Sequence, residues 1–423
     1  MDRYLPRIAD GILKEKLEKM GAVLIDGPKW CGKSTTGLQQ AKSTVFMQDP
    51  QYQEQNIMLA KADSHMFLSG PVPRMIDEWQ MIPFIWDAIR YEIDRRDSFG
   101  QFILTGSSVP ADDSQIFHSG IGRITRMTMR PMSLWESRDS NGSVSLGDLF
   151  TGTAKGSGKS EKTLTDFSFL LCRGGWPKAV GLNEHIALRQ AIEYYDGLVS
   201  SDLYRVDGVK RDEERMKLVL RSYARNIATQ ANNSTIRNDM VANEVSSLNE
   251  DTVASYIKAL KKLFVVEDLP AWNPNLRSKV AVRTSDTRHF VDPSIATAAL
   301  GLGPQDLIND LKTFGFLFES LCVRDLRIYA DALGGKIYHF KDSQGLEADA
   351  VIHLRNGNWA PVEIKLFDNE RIEEGAKNLI RLSEMVDASK MKKPSFLMVL
   401  TGTEFAYRRE DGVYVVPVSC LKD

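Results

Sequence analysis

Short apolar runs alternating with amphipathic stretches dominate the first 135 residues. Residues 22–25, 44–47, 74–76 and 102–104 are apolar runs of strand length, and the segments between them have helix-compatible spacing. Parallel neighbours need long crossovers that are usually helical, so this alternation predicts a parallel α/β sheet. Residues 137–166 are rich in Gly, Ser, Thr and Lys and poor in large apolar side chains, which predicts a long surface loop or linker over 141–166. Residues 167 to about 270 read as mainly helical, with heptad-like apolar spacing over 187–199 and 216–227. Within them a helix around 237–241, a polar turn and a second helix over 249–263, apolar at Val253, Tyr256, Ile257 and Leu260, have the form of a helix-turn-helix. Two apolar runs, 264–267 and 279–282, follow around Pro270 and Pro274 and suit the β-hairpin of a winged helix. From Thr313 the pattern changes to one helix, strands at 336–340, 348–354 and 359–364, a helix near 371–386, and strands at 396–400 and 413–418. The predicted order is therefore a parallel-sheet domain over 1–140, a linker over 141–166, a helical and winged-helix region over 167–305, and a second α/β domain over 306–423. No internal repeat is visible.

Composition narrows this picture by exclusion. The chain has 423 residues, 54 Lys+Arg against 56 Asp+Glu, and 43% hydrophobic positions, which rules out a disordered chain, a collagen or a small disulfide scaffold. A net charge of -2 also argues against a generally polybasic nucleic-acid binder, which depends on displaced counterions. One local surplus stands out, since residues 258–288 hold seven Lys/Arg against three Asp/Glu. No run approaches the 18 or so apolar residues of a membrane span, and charges throughout the first 20 residues do not suit a signal peptide. A cytoplasmic protein with no membrane partner is expected. Cys31, Cys172, Cys322 and Cys420 lie far apart with no CxxC spacing, so reduced, buried thiols are expected instead of zinc ligands or disulfides.

The sharpest chemical signal is GPKWCGKS at residues 27–34, which follows the apolar run AVLI and precedes a helix-compatible segment. Backbone amides of such a Gly-rich turn cradle phosphate oxygens, Lys33 reaches the terminal phosphates, and the Ser34 hydroxyl ligates Mg²⁺. The predicted nucleotide-binding residues are Gly27, Pro28, Lys29, Trp30, Cys31, Gly32, Lys33, Ser34 and Thr35, with ATP and Mg²⁺ as cofactors. A second GKS, in TAKGSGKS at 153–160, lacks both the first glycine and a preceding strand, so it is rejected as a nucleotide site. Downstream, Asp77 and Glu78 close a short apolar strand; one carboxylate would serve the Mg²⁺ water shell and the other the attacking water. Thr105 and Ser107 in FILTGSS are placed to sense the γ-phosphate, and Arg123, Arg126 and Arg130 offer an arginine to the developing charge, from the same subunit or across an oligomer interface.

The succession YLPR, GPKWCGKST, IDEWQ, FILTGSS, GRITRMTMRPMSLWE and CRGGWP resembles the bacterial and archaeal AAA-type ATPases fused to a C-terminal domain of unknown function with a nuclease-like end. The resemblance spans nearly the whole chain. It implies Lys33 and Ser34 as P-loop residues, Asp77 and Glu78 as Walker B, Thr105 or Ser107 as sensor 1, and Arg123 as the sensor or finger arginine. Trp30 and Cys31 depart from the family's usual smaller loop residues.

A second cluster lies near the C-terminus. Asp349 precedes one predicted strand, and Glu363 and Lys365 end the next; antiparallel pairing would gather all three at one end of a hairpin. Two carboxylates there can hold Mg²⁺, and the lysine can position a water against a phosphodiester. The arrangement resembles the D…ExK set of PD-(D/E)xK nucleases, and Glu319 on the preceding helix matches the additional carboxylate many of them use. The sequence therefore predicts an ATPase whose cycle drives or gates a winged-helix and nuclease-like region acting on DNA or other nucleic acid. An inter-subunit Arg123 would add a homo-oligomer. The alternative is a nucleotide-controlled switch or scaffold whose nuclease-like domain is catalytically inactive.

Overall fold

The computed structural model describes residues 4–107, 117–202, 211–243, 249–273 and 285–423. Five parallel strands, β1 (Ala22–Asp26), β2 (Ser43–Phe46), β3 (Arg74–Asp77), β4 (Phe102–Gly106) and β5 (Ile124–Thr128), form one sheet in the order β2-β3-β4-β1-β5. Side chains alternate between its faces. Ala22, Leu24, Ile76 and Leu104 enter one apolar cluster, while Val23, Ile25, Met75 and Ile103 enter the other. Both faces are covered over β1, β3 and β4, which is why these strands read as continuous apolar runs. β5 escapes that pattern because it is an edge strand with Thr125, Arg126 and Thr128 only partly buried or exposed. Register pairs Asp77 with Thr105 and Asp26 with Gly106, so the carboxyl ends of β1, β3 and β4 share one sheet edge.

Residues 141–166 depart from the expected linker. They contain β6 (Val144–Ser145), a Leu146–Thr151 helix capped by the Ser145 side chain, and β7 (Gly158–Lys159). Val144, Leu146 and Leu149 are buried, a set too sparse to register in composition but placed to pack. Much of the polar content is cap and turn chemistry, as in the Ser145 cap and the left-handed Gly152 that ends the helix. The GSGKS stretch thus contains the two-residue β7 edge strand, Lys159 pairing with Phe405.

The second large sheet contains β7, then β8 (Gly335–Lys341), β9 (Glu347–Leu354), β10 (Trp359–Lys365), β11 (Met398–Thr401), β12 (Phe405–Arg408) and β13 (Tyr414–Pro417), in the order β7-β12-β13-β11-β10-β9-β8. β14 (Leu421–Lys422) pairs with β6 separately. The Leu311–Ala332 helix and the Asn369–Met385 helix cover opposite faces: Phe318 and Leu326 share a core with Ile352, whereas Ala376 and Leu379 share one with Val351. The helices at Leu164–Arg173, Glu184–Gly197, Glu213–Arg225, Glu250–Lys262 and Pro293–Leu300 join the first of these cores. A single apolar core therefore runs from the middle of the chain into the C-terminal sheet.

The helix-turn-helix segment has a helix at Asn233–Asn243 and one at Glu250–Lys262, the latter capped by Asn249 and burying Val253, Tyr256, Ile257 and Leu260. After it, the chain forms antiparallel bridges Val266↔Phe290 and Leu269↔Thr287. The expected run at 279–282 and the turn at 244–248 lie outside the described residues.

Candidate functional site

The loop between β1 and the Lys33–Gln40 helix is built by its two glycines. Gly27 has φ +150, and a Cβ there would sit 2.1 Å from the Met129 carbonyl oxygen, so the loop can press against the chain beyond β5 only without a side chain. Gly32, at φ +100, turns the chain into the helix, whose first amides have no intrahelical acceptor. Lys33 is buried and donates to the carbonyls of Gly27 at 3.0 Å and Pro28 at 2.7 Å, so its ammonium lies folded over the loop. Thr35 is exposed on the first turn. Amides, ammonium and helix dipole together make an anion cradle.

The sheet edge supplies the acidic half. Ser34 Oγ donates to Asp77 Oδ1 at 2.5 Å across 43 residues of chain. Asp77 is fully buried and also accepts from Thr105 Oγ1 at 2.6 Å and Gln48 Nε2 at 3.1 Å. Glu78, in the left-handed region at φ 58, turns away from β3 and accepts from Ser107 Oγ at 3.3 Å and from Gln80 Nε2. The structure thus brings Lys33, Ser34, Asp77, Glu78, Thr105 and Ser107 together. Gln48 and Gln80 were not foreseen; the only signal for Gln48 is a polar residue shortly after a strand, at the edge where Asp77 ends.

The three arginines separate. The carbonyl of Arg123 accepts from Ala22 N at 3.0 Å, at the amino end of β1, and its guanidinium pairs with Asp94 at 2.8 Å. The phosphate loop starts at the other end of β1, about 16 Å away at the usual rise per strand residue. Of the two roles left open for Arg123, the same-subunit one does not fit this geometry, because within its own chain it sits at the opposite edge of the sheet from the phosphate loop. Arg126 lies 3.7 Å from Asp26. Arg130 is buried and forms 2.6 Å contacts with both Glu267 and Asp331, tying the first sheet to the two later regions.

Two further contacts reach the loop. Arg7 donates to the Cys31 carbonyl at 2.8 Å, to Glu136 at 3.0 Å and to the Arg130 carbonyl at 2.9 Å. Trp30, in the left-handed region at φ 65, sets its ring edge on Tyr194, 5.8 Å between centroids, and Tyr194 stacks on Trp176 at 4.2 Å. The unusual loop residue Trp30 is explained by this contact with the middle region.

Burial pushes Asp26 up to about 6, against the pull of Arg126 and Lys33. A raised carboxyl favours the folded state while protonated, so its contribution is present below the ordinary value of 3.8 and is lost as pH rises through about 6. The melting temperature of Asp26→Asn relative to wild type is expected to climb between pH 5 and pH 7. A constant difference across that range would contradict the assignment. Arg130→Gln is expected to cost about 2–3 kcal/mol in denaturant unfolding, below the value for a fully buried pair because Glu267 and Asp331 keep 30% and 36% side-chain exposure.

Comparison with known proteins places this geometry. Residues 19–137 match the family model described as an AAA domain. These residues form an AAA-type P-loop ATPase domain. Beyond the ATPase domain, residues 164–306 match a domain of unknown function (DUF8612) and residues 314–421 another (DUF4143). No curated protein matches the chain. Among solved structures it is similar to the Walker-type ATPase PABY2304 of Pyrococcus abyssi, at 15% identity and TM-score 0.42, over 70% of this chain and 96% of that one. It is also similar to the Aeropyrum pernix ORC1 protein in complex with DNA, at 14% identity and TM-score 0.26, over 74% of this chain and 95% of that one. Among the described residues no helix is long and apolar enough to cross a membrane.

The second cluster forms where β9 and β10 pair antiparallel, Ala350 opposite Val362. Asp349 Oδ2 accepts from Ile364 N at 2.7 Å and lies 3.3 Å from Lys365 Nζ, which is 2.5 Å from Glu363 Oε2. Glu363 is fully buried, and beyond that ion pair neither carboxylate oxygen has a hydrogen-bond partner. Gly375 on the overlying helix permits this packing, since a Cβ there would be 3.2 Å from Glu363 Cβ. Glu319, Asp349 and Lys365 line one cleft of about 1450 Å³, whose opposite wall includes Asn226, Gln230 and Thr235 of the middle region. Burial, then the Asp349 charge, pushes both Glu319 and Glu363 well above the ordinary carboxylate range. Burial opposes the charge on Lys365, but Asp349 and Glu363 more than offset it and raise its affinity for a proton. These hard oxygen donors fit Mg²⁺ in kind, and Glu363 has unmet acceptors. Among the described residues, however, no three acidic, His or Cys side chains are gathered as a metal centre; the Lys365 ammonium lies between Asp349 and Glu363. His339 lines the same cleft but is engaged by the Ser285 carbonyl and Gln230, and His353 accepts from Trp272 Nε1.

Proposed function

We propose that the ATPase domain couples its nucleotide cycle to the middle and C-terminal regions, and that these act together on nucleic acid. The observation supporting the ATP chemistry is the Ser34–Asp77 contact, which puts the loop hydroxyl and a fully buried carboxylate at one point beside Lys33. On this reading the loop amides and Lys33 bind the phosphates, with Lys33 leaving the Gly27 and Pro28 carbonyls to do so. Ser34 and Asp77 would hold Mg²⁺, which supplies charge neutralisation at the phosphate oxygens when bound. Glu78 orients and deprotonates the attacking water, and Thr105 and Ser107 hold the two carboxylates in place. Arg123, half-buried on the far edge and paired with Asp94, serves a neighbouring subunit; sizing the protein with and without ATP tests this, and a monomer in both conditions would contradict it.

Support for a shared nucleic-acid substrate comes from the 1450 Å³ cleft, lined by the segment leading into the helix-turn-helix on one side and by Glu319, Asp349 and Lys365 on the other. A winged-helix region that grips nucleic acid would present it to a PD-(D/E)xK-like set of Asp349, Glu363, Glu319 and Lys365. The three carboxylates, not gathered as a metal centre here, would have to draw together to hold Mg²⁺ while Lys365 left its place between Asp349 and Glu363 to position the water. A second reading, a nucleotide-controlled switch with a silent C-terminal domain, is favoured by one observation: Lys365 occupies the space between the carboxylates. Incubating a mixed DNA and RNA panel with Mg²⁺ or Mn²⁺ separates the two, since the switch predicts no metal-dependent degradation.

A further inference from the structure

A different cleft, of about 490 Å³, opens where the ATPase domain meets both later regions. No phosphate-loop residue lines it. Its walls come from β5 and the Ile8–Leu17 helix on one side, and from the Leu311–Ala332 helix, the start of β8 and the β9–β10 turn on the other. Six cationic side chains reach it: Lys16, Arg126, Arg130, Arg327, Lys336 and Arg355. The three carboxylates present are already engaged. Arg130 holds Glu267 and Asp331, while Asp268 pairs with Lys261 at 2.6 Å and Arg288 at 2.8 Å and accepts from the Tyr223 hydroxyl. Lys336 and Arg355 are exposed and form no ion pair among the described residues. Deeper in, Arg327 is only 6% exposed, lies 3.6 Å from Glu267, and has a buried Nη2 with no hydrogen-bond partner. Burial first, and then the repulsion of Arg355, make Lys16 easier to deprotonate.

A buried guanidinium nitrogen without an acceptor is costly, and an oxyanion is the group that satisfies it while neutralising the surrounding cations. We propose that this cleft is a second anion site, distinct from the phosphate loop, which binds the phosphate chain of a small polyphosphate or nucleoside polyphosphate. The volume suits a mononucleotide-sized ligand. A nucleic-acid strand would need an open groove, whereas here the innermost cation, Arg327, lies almost wholly buried. Because Arg130 and Arg327 belong to different regions, ligand bound between them would clamp the ATPase domain to the rest of the chain.

The test is calorimetric titration of the full chain carrying Lys33→Ala with inorganic tripolyphosphate, with ATP, and with a 20-nucleotide single strand. Tripolyphosphate binding is expected to survive Lys33→Ala and to weaken at least about tenfold when Lys336→Glu and Arg355→Glu are added. Both rim side chains are exposed, so these changes spare the core. Arg327→Gln is expected to weaken binding similarly. ATP binding much tighter than tripolyphosphate that also falls with Lys336→Glu and Arg355→Glu would mark the ligand as a nucleotide, and equal rim-dependent affinity would mark it as the phosphate chain. Loss of all binding on Lys33→Ala alone, or tripolyphosphate binding indifferent to the rim pair, overturns the proposal. Rim-dependent binding of the oligonucleotide without tripolyphosphate overturns it in favour of a nucleic-acid path.

Discussion

Lys33→Ala is expected to lower steady-state ATP turnover by about 100-fold or more, the scale seen when a preorganised donor to developing charge is removed. The Lys33 ammonium lies buried over the loop, and its present partners, the Gly27 and Pro28 carbonyls, are weak substitutes for a phosphate. Its removal leaves the amide cradle and the Ser34–Asp77 contact in place. Binding is therefore expected to weaken less than turnover, and the melting temperature is expected to hold. Phosphate release at the wild-type rate would show that the site assignment is wrong.

In the C-terminal cluster, Asp349→Ala and Lys365→Ala are each expected to abolish metal-dependent cleavage of nucleic acid, by about 100- to 10,000-fold for a group that positions or activates water. The two changes differ in their structural cost. Asp349 accepts from Ile364 N and pairs with Lys365, so its loss unties β9 from the end of β10; Lys365→Ala instead strands the buried Glu363 with no cation near it. Asp349→Asn keeps the side-chain shape while removing the charge and serves as the control for folding. Cleavage surviving both alanine changes would point to a contaminant or to another site.

Much of this was visible in the residues. The apolar runs of β1, β3 and β4 announced themselves because both faces are buried, and the amphipathic face of the Glu250–Lys262 helix matched its buried side chains. GPKWCGKS carried its own context of strand and helix. The D…ExK spacing brought Asp349, Glu363 and Lys365 together because strand register is regular. Other features depended on distant partners. Residues 141–166 looked like a linker because their few apolar side chains pack against strands more than 200 positions later, as Val144 does beside Leu421. β5 was hidden by its exposed edge. Arg123 fitted a motif in order but stands at the amino end of its strand, a matter of direction that no spacing rule encodes. The Arg7 grip on the loop joins residues 24 positions apart and the Arg130–Glu267 bridge residues 137 apart, so nothing local signals them.

The coupling of the two candidate sites is the central claim, and one measurement addresses it directly: Mg²⁺- or Mn²⁺-dependent degradation of a mixed nucleic-acid panel by wild type, Lys33→Ala and Asp349→Ala, each with and without ATP. The account predicts degradation by wild type that responds to ATP, loss of that response in Lys33→Ala, and loss of degradation in Asp349→Ala. Degradation by wild type that ignores ATP, or that persists in Asp349→Ala, would contradict it.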